Sequence, residues 1–308
     1  MVTQSITLRS SQHYGQRVPM EAFGIAQEML TGAVRQSVRM ALEGQSVVKG
    51  SRPDWLKAAG DVRFVGISGD DETVLHCELP SLGEAAPRLF EGPDSGPDRA
   101  DTGLDLLADV WGDVARGNAD SAKFDRSLLI SLARFKKFVG GTFSALEVGR
   151  RGRPSPTLVT PAVVAAARVL SAEVPRPQRV RLVGRLDMIR ASTQAFALLL
   201  DDGSEVRGVL SASEVSSLAS LVGYRVLCLG QAVYRPSGKL LRVESDLVEA
   251  TTETGAFFSV APKPARRRPD LRELFDEQKS KLGIRAIIGQ WPGDETDEEF
   301  AAAMEELS

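Results

Sequence analysis

The chain has 308 residues, of which 43% are hydrophobic and 26% are charged, and this length allows two domains with separate cores. The formal net charge of -3 excludes a global attraction to nucleic acid or anionic lipid, so any such binding must rest on a local patch. No segment has the roughly 18 consecutive apolar residues of a membrane-spanning helix. The first residues lack the apolar region of a signal peptide, and Arg is far commoner than Lys, as in GC-rich genomes. We therefore expect a bacterial cytoplasmic protein without membrane contact.

Residues 1–175 predict an α+β domain. Ile6 and Leu8 alternate with polar neighbours, as in a half-buried strand. Pro19 suits the first turn of a long helix, and Gly44 is a suitable stop. The apolar face of this helix is predicted to comprise Phe23, Ala26, Leu30, Val34, Val38 and Ala41.

A hairpin and further helices follow in the same domain. Residues 62–67 and 74–77 flank a turn in which Gly69 supplies a positive φ. After an irregular stretch at 91–101, two helices are predicted by apolar spacing. Their faces are Leu104, Leu107, Ala108, Trp111 and Val114 in the first, and Phe124, Leu128, Leu132, Phe135 and Val139 in the second. A strand over 142–148, a basic connector over 149–156 and a helix from Pro161 complete the prediction.

Residues 178–250 predict an OB-like five-stranded β-barrel. Strand patterns cover 180–189, 196–200, 206–209, 224–234 and 240–248, and the stretch 201–204 is a strong hairpin turn. Ser213 is placed to cap a short helix between the third and fourth strands. This order of elements is typical of the OB fold.

Beyond the barrel, residues 251–269 form a Pro- and Arg-rich linker, which we expect to be extended. Residues 270–308 predict a flexible, helical, partner-binding tail. Asp270 and Glu273 are spaced to cap a first helix, and Thr296 and Glu299 form a capping box for a second. The predicted fold class is thus α+β, with an N-terminal α+β domain, an OB-like barrel and a helical tail.

The sequence contains few of the residues and motifs that are typical of enzymes. It has two histidines, His13 and His76, and it has no phosphate loop, metalloprotease helix or nucleophile elbow. His76 and Cys77 are adjacent in a predicted strand and therefore point to opposite faces, which disfavours a shared metal. Cys77 and Cys228 each lie in an apolar run and are expected to be buried thiols. We expect no metal, no cofactor and no enzymatic activity.

The barrel also supports a nucleic-acid hypothesis, because OB barrels bind single strands through aromatic platforms and a basic groove. The candidate residues are Arg185, Arg190, Tyr234, Arg235, Lys239 and Arg242, and the turn at 235–239 is the first place to look. Phe196 and Tyr224 are aromatic too, but their apolar surroundings favour a place in the core. The balance of nine basic against eight acidic side chains over residues 178–250 provides no net field for phosphate.

The last 18 residues carry seven acidic side chains and no basic one. A segment this short cannot bury a core, so its apolar groups need a partner surface. The predicted contact residues are Trp291, Pro292, Asp294, Glu295, Asp297, Phe300 and Met304. Residues 290–300 resemble the C-terminal tails of short bacterial antitoxins that are paired with PIN-domain ribonuclease toxins. In that family the tail wraps the toxin and obstructs its acidic, metal-binding active site.

The resemblance is confined to the end of the chain, and the rest of the chain departs from the family, whose members are short and carry a small DNA-binding module. It implies a protein partner, specifically a nuclease toxin from a neighbouring gene. The leading hypothesis is a non-enzymatic, antitoxin-like regulator whose acidic tail binds a PIN-type ribonuclease. The alternative is an OB-like single-stranded nucleic-acid-binding protein with an acidic regulatory tail.

Overall fold

The structure is a computed structural model that describes residues 1–48, 50–90, 96–210, 218–252 and 258–265. Residues Met1–Ala265 form one compact unit. This unit contains an α+β domain, followed along the chain by a closed five-stranded barrel. The predicted α+β class with an OB-like barrel is thereby confirmed. The tail, with all of its predicted contact residues and helices, lies outside the described residues.

The α+β domain is built on an antiparallel sheet with strand order β2-β3-β1-β4-β5. Its strands are β1 Val2–Arg9, β2 Arg63–Ser68, β3 Thr73–Leu79, β4 Ala145–Val148 and β5 Thr157–Val159. Burial alternates along β1 and β3, so that Ile6, Leu8 and Leu75 enter the core while Ser5 and His76 lie on the other face. The sheet therefore has one buried face.

The helices of this domain complete the same core. They are α1 Met20–Glu43, α2 Asp54–Ala59, α3 Leu82–Ala85, α4 Gly103–Ala115, α5 Arg126–Ala133 and α6 Pro161–Glu173, and 3₁₀ helices span Pro87–Phe90 and Arg134–Lys137. Gly44 ends α1 in the left-handed conformation. Thr102 and Asp125 accept hydrogen bonds from the first turns of α4 and α5. Each of these three residues thus satisfies a backbone amide or carbonyl that a helix end leaves without a partner.

Most helix predictions hold, with local exceptions. Every residue assigned to the apolar faces of the second and third predicted helices, from Leu104 to Val139, is buried. Ala41 is exposed, so it does not belong to the buried face of α1. The strand predicted over 142–148 begins only at Ala145, because Phe138, Val139 and Phe143 form a tight turn before it. The short helices α2 and α3 and the strand β5 were not predicted.

The barrel closes with strand order β10-β8-β7-β6-β9, and β9 pairs with β10. Its strands are β6 Gln178–Arg190, β7 Ala195–Leu199, β8 Glu205–Leu210, β9 Arg225–Tyr234 and β10 Leu240–Ala250. The pairing of β8 with β10 is parallel and all the others are antiparallel. Phe196 fills the interior against Gly208 of the neighbouring strand, where any Cβ would collide with the ring. The five predicted strands are confirmed.

Three predictions for this region turn out differently or remain open. Tyr224 is 66% exposed, so it is not a core residue. The start of the helix predicted at Ser213 lies outside the described residues. Ser259, in the linker predicted over residues 251–269, is buried and donates a hydrogen bond of 2.8 Å to the Val183 carbonyl. Part of the linker thus packs on the barrel. Among the described helices, none combines the length and apolar character needed to cross a membrane.

Candidate functional site

A cleft of about 1130 Å³ separates the α+β domain from the barrel. One wall comes from the end of α1, from residues 96–101 and from α4, and the other comes from β6, β7 and β8. Ala195, Ala197 and Val209 form a floor of small apolar side chains. Ligands bind preferentially at the interfaces between structural units, which makes this cleft a candidate site.

The cleft lies on the barrel strands and loops that correspond to the ligand-binding face of OB folds. In OB folds, the face of the second and third strands and the loops after the first and fourth strands bind oligonucleotides and oligosaccharides. The equivalent strands here are β7 and β8, and the equivalent loops span 191–194 and 235–239. Thr193 and Arg235 from these loops both line the cleft. The α+β domain therefore faces the surface on which OB barrels bind their ligands.

The charges around the cleft are balanced. Its lining includes six acidic side chains (Glu43, Asp98, Asp101, Asp109, Asp187 and Glu205) and six basic ones (Lys123, Arg150, Arg190, Arg207, Arg235 and Arg242). Many of them neutralise each other, as where Arg150 lies 2.8 Å from Asp109 and 3.1 Å from Asp101. The cleft as a whole supplies no net positive field, and any phosphate contact must come from individual basic groups.

The basic connector at 149–156 is held against α4 by carboxylates. Asp105 is fully buried, and it accepts hydrogen bonds from the Arg151 amide at 2.8 Å and the Arg151 guanidinium at 3.0 Å. Burial by itself raises the pKa of Asp105, but these bonds and those from Thr102 outweigh it and lower the pKa. The pKa of Asp101 is raised, because the effect of burial is larger than the opposing effect of the nearby Arg150 guanidinium. The connector is thus part of the folded domain.

Arg242 joins the barrel to the α+β domain. Its side chain is 8% exposed and donates to the Gly44 carbonyl at 3.0 Å and to Asp125 at 3.4 Å. Glu244 on the same strand accepts two further hydrogen bonds from it. Asp125 also receives the Ser46 amide at 3.0 Å. This buried network stabilises the junction between the barrel and the α+β domain. The Arg242 side chain is buried and hydrogen-bonded within the chain, so it is not available to a ligand.

A second contact between the two parts involves the turn at 235–239. The Ser237 amide donates to the Ala119 carbonyl at 3.1 Å, and Arg235 Nη1 donates to the Asp120 carbonyl at 2.6 Å. Lys239 forms an ion pair with the Asp120 carboxylate. The pKa of Asp120 is lowered, chiefly by hydrogen bonding to Lys239. The turn singled out by the sequence is therefore already occupied by the loop between α4 and α5.

The nucleic-acid candidates from the sequence are dispersed. Arg185 is exposed and lies 3.4 Å from Asp187, while Arg190 lines the cleft. Tyr234 is buried, which raises the pKa of its hydroxyl, so its ring is not offered to a base. Arg235 and Lys239 share the turn described above. The structure brings these last two together but does not unite the whole set in one patch.

The other candidate reactive groups in the described residues include His76, Cys77 and Cys228. His76 lies between Ser5, 3.1 Å from Nδ1, and Ser68, 2.7 Å from Nε2, on the outer face of the sheet. Burial raises the pKa of Cys77, and it raises that of Cys228 to about 11, so both thiols stay protonated at neutral pH. Within the described ranges, no cluster of three or more His, Cys, Asp or Glu side chains is arranged to hold a metal ion.

Comparisons with protein-family models, with curated proteins and with solved structures found no match. The site must therefore be interpreted from its own geometry. Sequence reasoning missed Asp120 and Asp125, the two carboxylates that reach the barrel. Asp125 precedes an apolar run, which is the signal of a helix cap. No local signal marks Asp120, because its partners lie 115 and 119 residues further along the chain.

Proposed function

We propose that this protein is an antitoxin-like regulator of the bacterial cytoplasm whose acidic C-terminal tail binds a protein partner, with a PIN-type ribonuclease as the specific candidate. The observation that carries the proposal is the tail sequence, with seven acidic side chains, no basic one and a tryptophan in its last 18 residues. Its resemblance to antitoxin tails supports the same function. The compact unit Met1–Ala265 provides a folded scaffold for it.

The contact is expected to rest on a few residues of the tail. Trp is among the most frequent interface anchors, and Trp291 precedes Pro292-Gly293, a pair that favours turns. Phe300 and Met304 are spaced to occupy a groove from one helical face. Asp294, Glu295 and Asp297 would meet a basic rim, and such charges chiefly raise the rate of association.

The test is a calorimetric titration of the full chain with a purified PIN-type ribonuclease of the host. Replacing Trp291 with Ala should cost about 2 kcal/mol, or roughly 30-fold in Kd, because a hot-spot ring is lost. Glu305→Gln, a change in the same tail outside the predicted contacts, should leave Kd within about threefold. Equal Kd values for the wild type and the Trp291 variant would remove Trp291 from the interface. If the wild type does not bind, the ribonuclease is not the partner.

A second candidate function is binding of single-stranded nucleic acid by the barrel, with the acidic tail as a competitor. It is favoured by one observation, that the cleft lies on the ligand-binding face of an OB-like barrel. Arg190, Arg235 and Lys239 are the candidates for contact with phosphate, and the last two would have to exchange contacts with Asp120. Tyr234 and Arg242 are excluded from this role because both are buried.

This second function predicts that oligo-dT binding weakens steeply with salt and tightens when residues 291–308 are deleted, because the competing charge is removed. The measurement is fluorescence anisotropy of labelled oligo-dT over about 0.05 to 0.2 M KCl. The absence of binding at the lowest salt would reject this function and leave the tail proposal intact.

A further inference from the structure

In the contact between the turn at 235–239 and the loop at 118–121, the turn supplies hydrogen-bond donors and the loop supplies acceptors. The turn provides a guanidinium, an ammonium and a backbone amide, all of which are donors. The loop provides only acceptor oxygens, from Ala119 and Asp120. Guanidinium, ammonium and amide N–H groups are also the donors that proteins use to hold phosphate oxygens.

Asp120 does not satisfy the turn completely. Arg235 Nε is buried and has no hydrogen-bond partner among the described residues. No carboxylate of the described residues forms an ion pair with Arg235, whose guanidinium donates to a neutral carbonyl. A cation in this state retains a need for an anionic acceptor. Asp120 Oδ1 is likewise buried without a hydrogen-bond partner among the described residues, although Arg235 and Asp120 attract each other electrostatically. An acceptor that reached Arg235 Nε as well as Lys239 would satisfy the turn better than Asp120 does.

We propose that the turn at 235–239 is a binding site for the phosphodiester group of single-stranded nucleic acid, and that the Asp120 carboxylate occupies it as an internal competitor. This inference rests on the second candidate function. Lys239 and the unpartnered Nε of Arg235 contact the phosphate, while the Ser237 amide and Arg235 Nη1 keep the Ala119 and Asp120 carbonyls as acceptors. Asp120 takes the place of one phosphate oxygen pair until a strand displaces it.

The two contacts between the α+β domain and the barrel differ in a way that allows this exchange. Asp120 and Lys239 are 45% and 69% exposed, and exposed ion pairs are weak and easily broken. The Arg242–Asp125 pair is buried and fixes the junction. A phosphate can therefore displace the Asp120 side chain while the junction stays closed. The carboxylate remains ionised near neutral pH because its pKa is lowered.

The experiment compares full-length wild type with Asp120→Asn, in which the shape and the backbone contacts of the loop are retained. Affinity for a labelled oligo-dT of about 15 nucleotides should rise about two- to fivefold in the variant. The slope of log K against log salt should steepen by about 0.7, because one additional lysine now releases a counterion from the strand. Asp54→Asn is the matched control, since Asp54 also pairs with an exposed lysine, Lys57, but lies on α2.

A Lys239→Ala change in the Asp120→Asn background should abolish both the gain and the steeper slope. If the wild type binds and Asp120→Asn behaves as Asp54→Asn does in affinity or in slope, the internal competitor is refuted while the second function stands. If neither the wild type nor any variant binds oligo-dT at low salt, the second function and this inference both fail.

Discussion

Replacing Asp125 with Ala is the change that most directly tests how the two parts of the folded unit are joined. Asp125 is 4% exposed, caps α5 through a 3.0 Å bond from the Leu128 amide, and receives both the amide and the hydroxyl of Ser46. It also faces Arg242 of the barrel at 3.4 Å. The Asp125 carboxylate thus caps a helix, binds the loop that contains Ser46 and contacts the barrel.

The expected cost follows from these contacts. Loss of an N-cap costs about 1 kcal/mol. Loss of hydrogen bonds from Ser46 to a charged acceptor costs about 1.5–3 kcal/mol. Arg242 keeps Glu244 and the Gly44 carbonyl as partners, so it is not left alone and adds little. We expect Asp125→Ala to lower the free energy of unfolding by about 2.5–4 kcal/mol, the sum of these two losses.

The assay is equilibrium unfolding in urea, followed by far-UV circular dichroism and by tryptophan fluorescence. Trp111 is fully buried in the α+β domain, so its emission reports the unfolding of that domain. Asp125→Asn keeps a capping oxygen and should cost about 1–2 kcal/mol, chiefly through the lost charge. Asp61→Ala, an exposed change in the same domain, should stay within about 0.5 kcal/mol.

Two results would refute this reasoning. A loss below about 1 kcal/mol for Asp125→Ala would mean that the cap and the Ser46 bonds contribute little to stability. Equal losses for the Ala and Asn variants would mean that the retained capping oxygen has no value, and that the charge alone accounts for the effect.

Two further predictions concern the barrel interior and the docked connector. Gly208→Ala should destabilise the protein by about 1–3 kcal/mol and lower its Tm, because the new methyl group collides with the Phe196 ring; an unchanged Tm would contradict the packing described. Asp105 should make stability depend on pH: its pKa is lowered on folding, so its contribution is complete above the unfolded value of about 3.8 and is lost as pH falls below it. Urea midpoints from pH 7 to pH 3 should therefore fall less for Asp105→Asn than for wild type, and parallel profiles would contradict the assignment.

Much of the fold could be predicted because its signals are local. Apolar residues three and four positions apart marked α1, α4 and α5, and Gly44 adopts the left-handed conformation expected of a helix stop. The five barrel strands alternate with recognisable turns. Tyr224 was misplaced because its neighbours are apolar, whereas its ring lies just outside β9 and faces solvent. Sequence neighbours do not determine the face on which a terminal residue lies.

The site was less predictable because its contacts are remote in the chain. Arg242 resembled a phosphate ligand in the sequence, but Asp125, 117 residues away, turns it into a structural link. The sequence indicated only a basic connector at 149–156, yet Asp105, 46 residues before Arg151, holds it on α4. A charged side chain becomes structural or functional according to the partner that folding brings to it, and spacing along the chain does not encode that partner.

The central claim, that the acidic tail binds a protein partner, is tested most directly by capture from the native host. The baits are the full chain, a Trp291→Ala/Phe300→Ala variant and a Glu305→Gln control, with captured proteins identified by mass spectrometry. We predict that a PIN-type ribonuclease is captured by the wild type and the control and is lost with the double variant. Equal capture of the ribonuclease by all three baits, or its absence from all of them, would contradict the account.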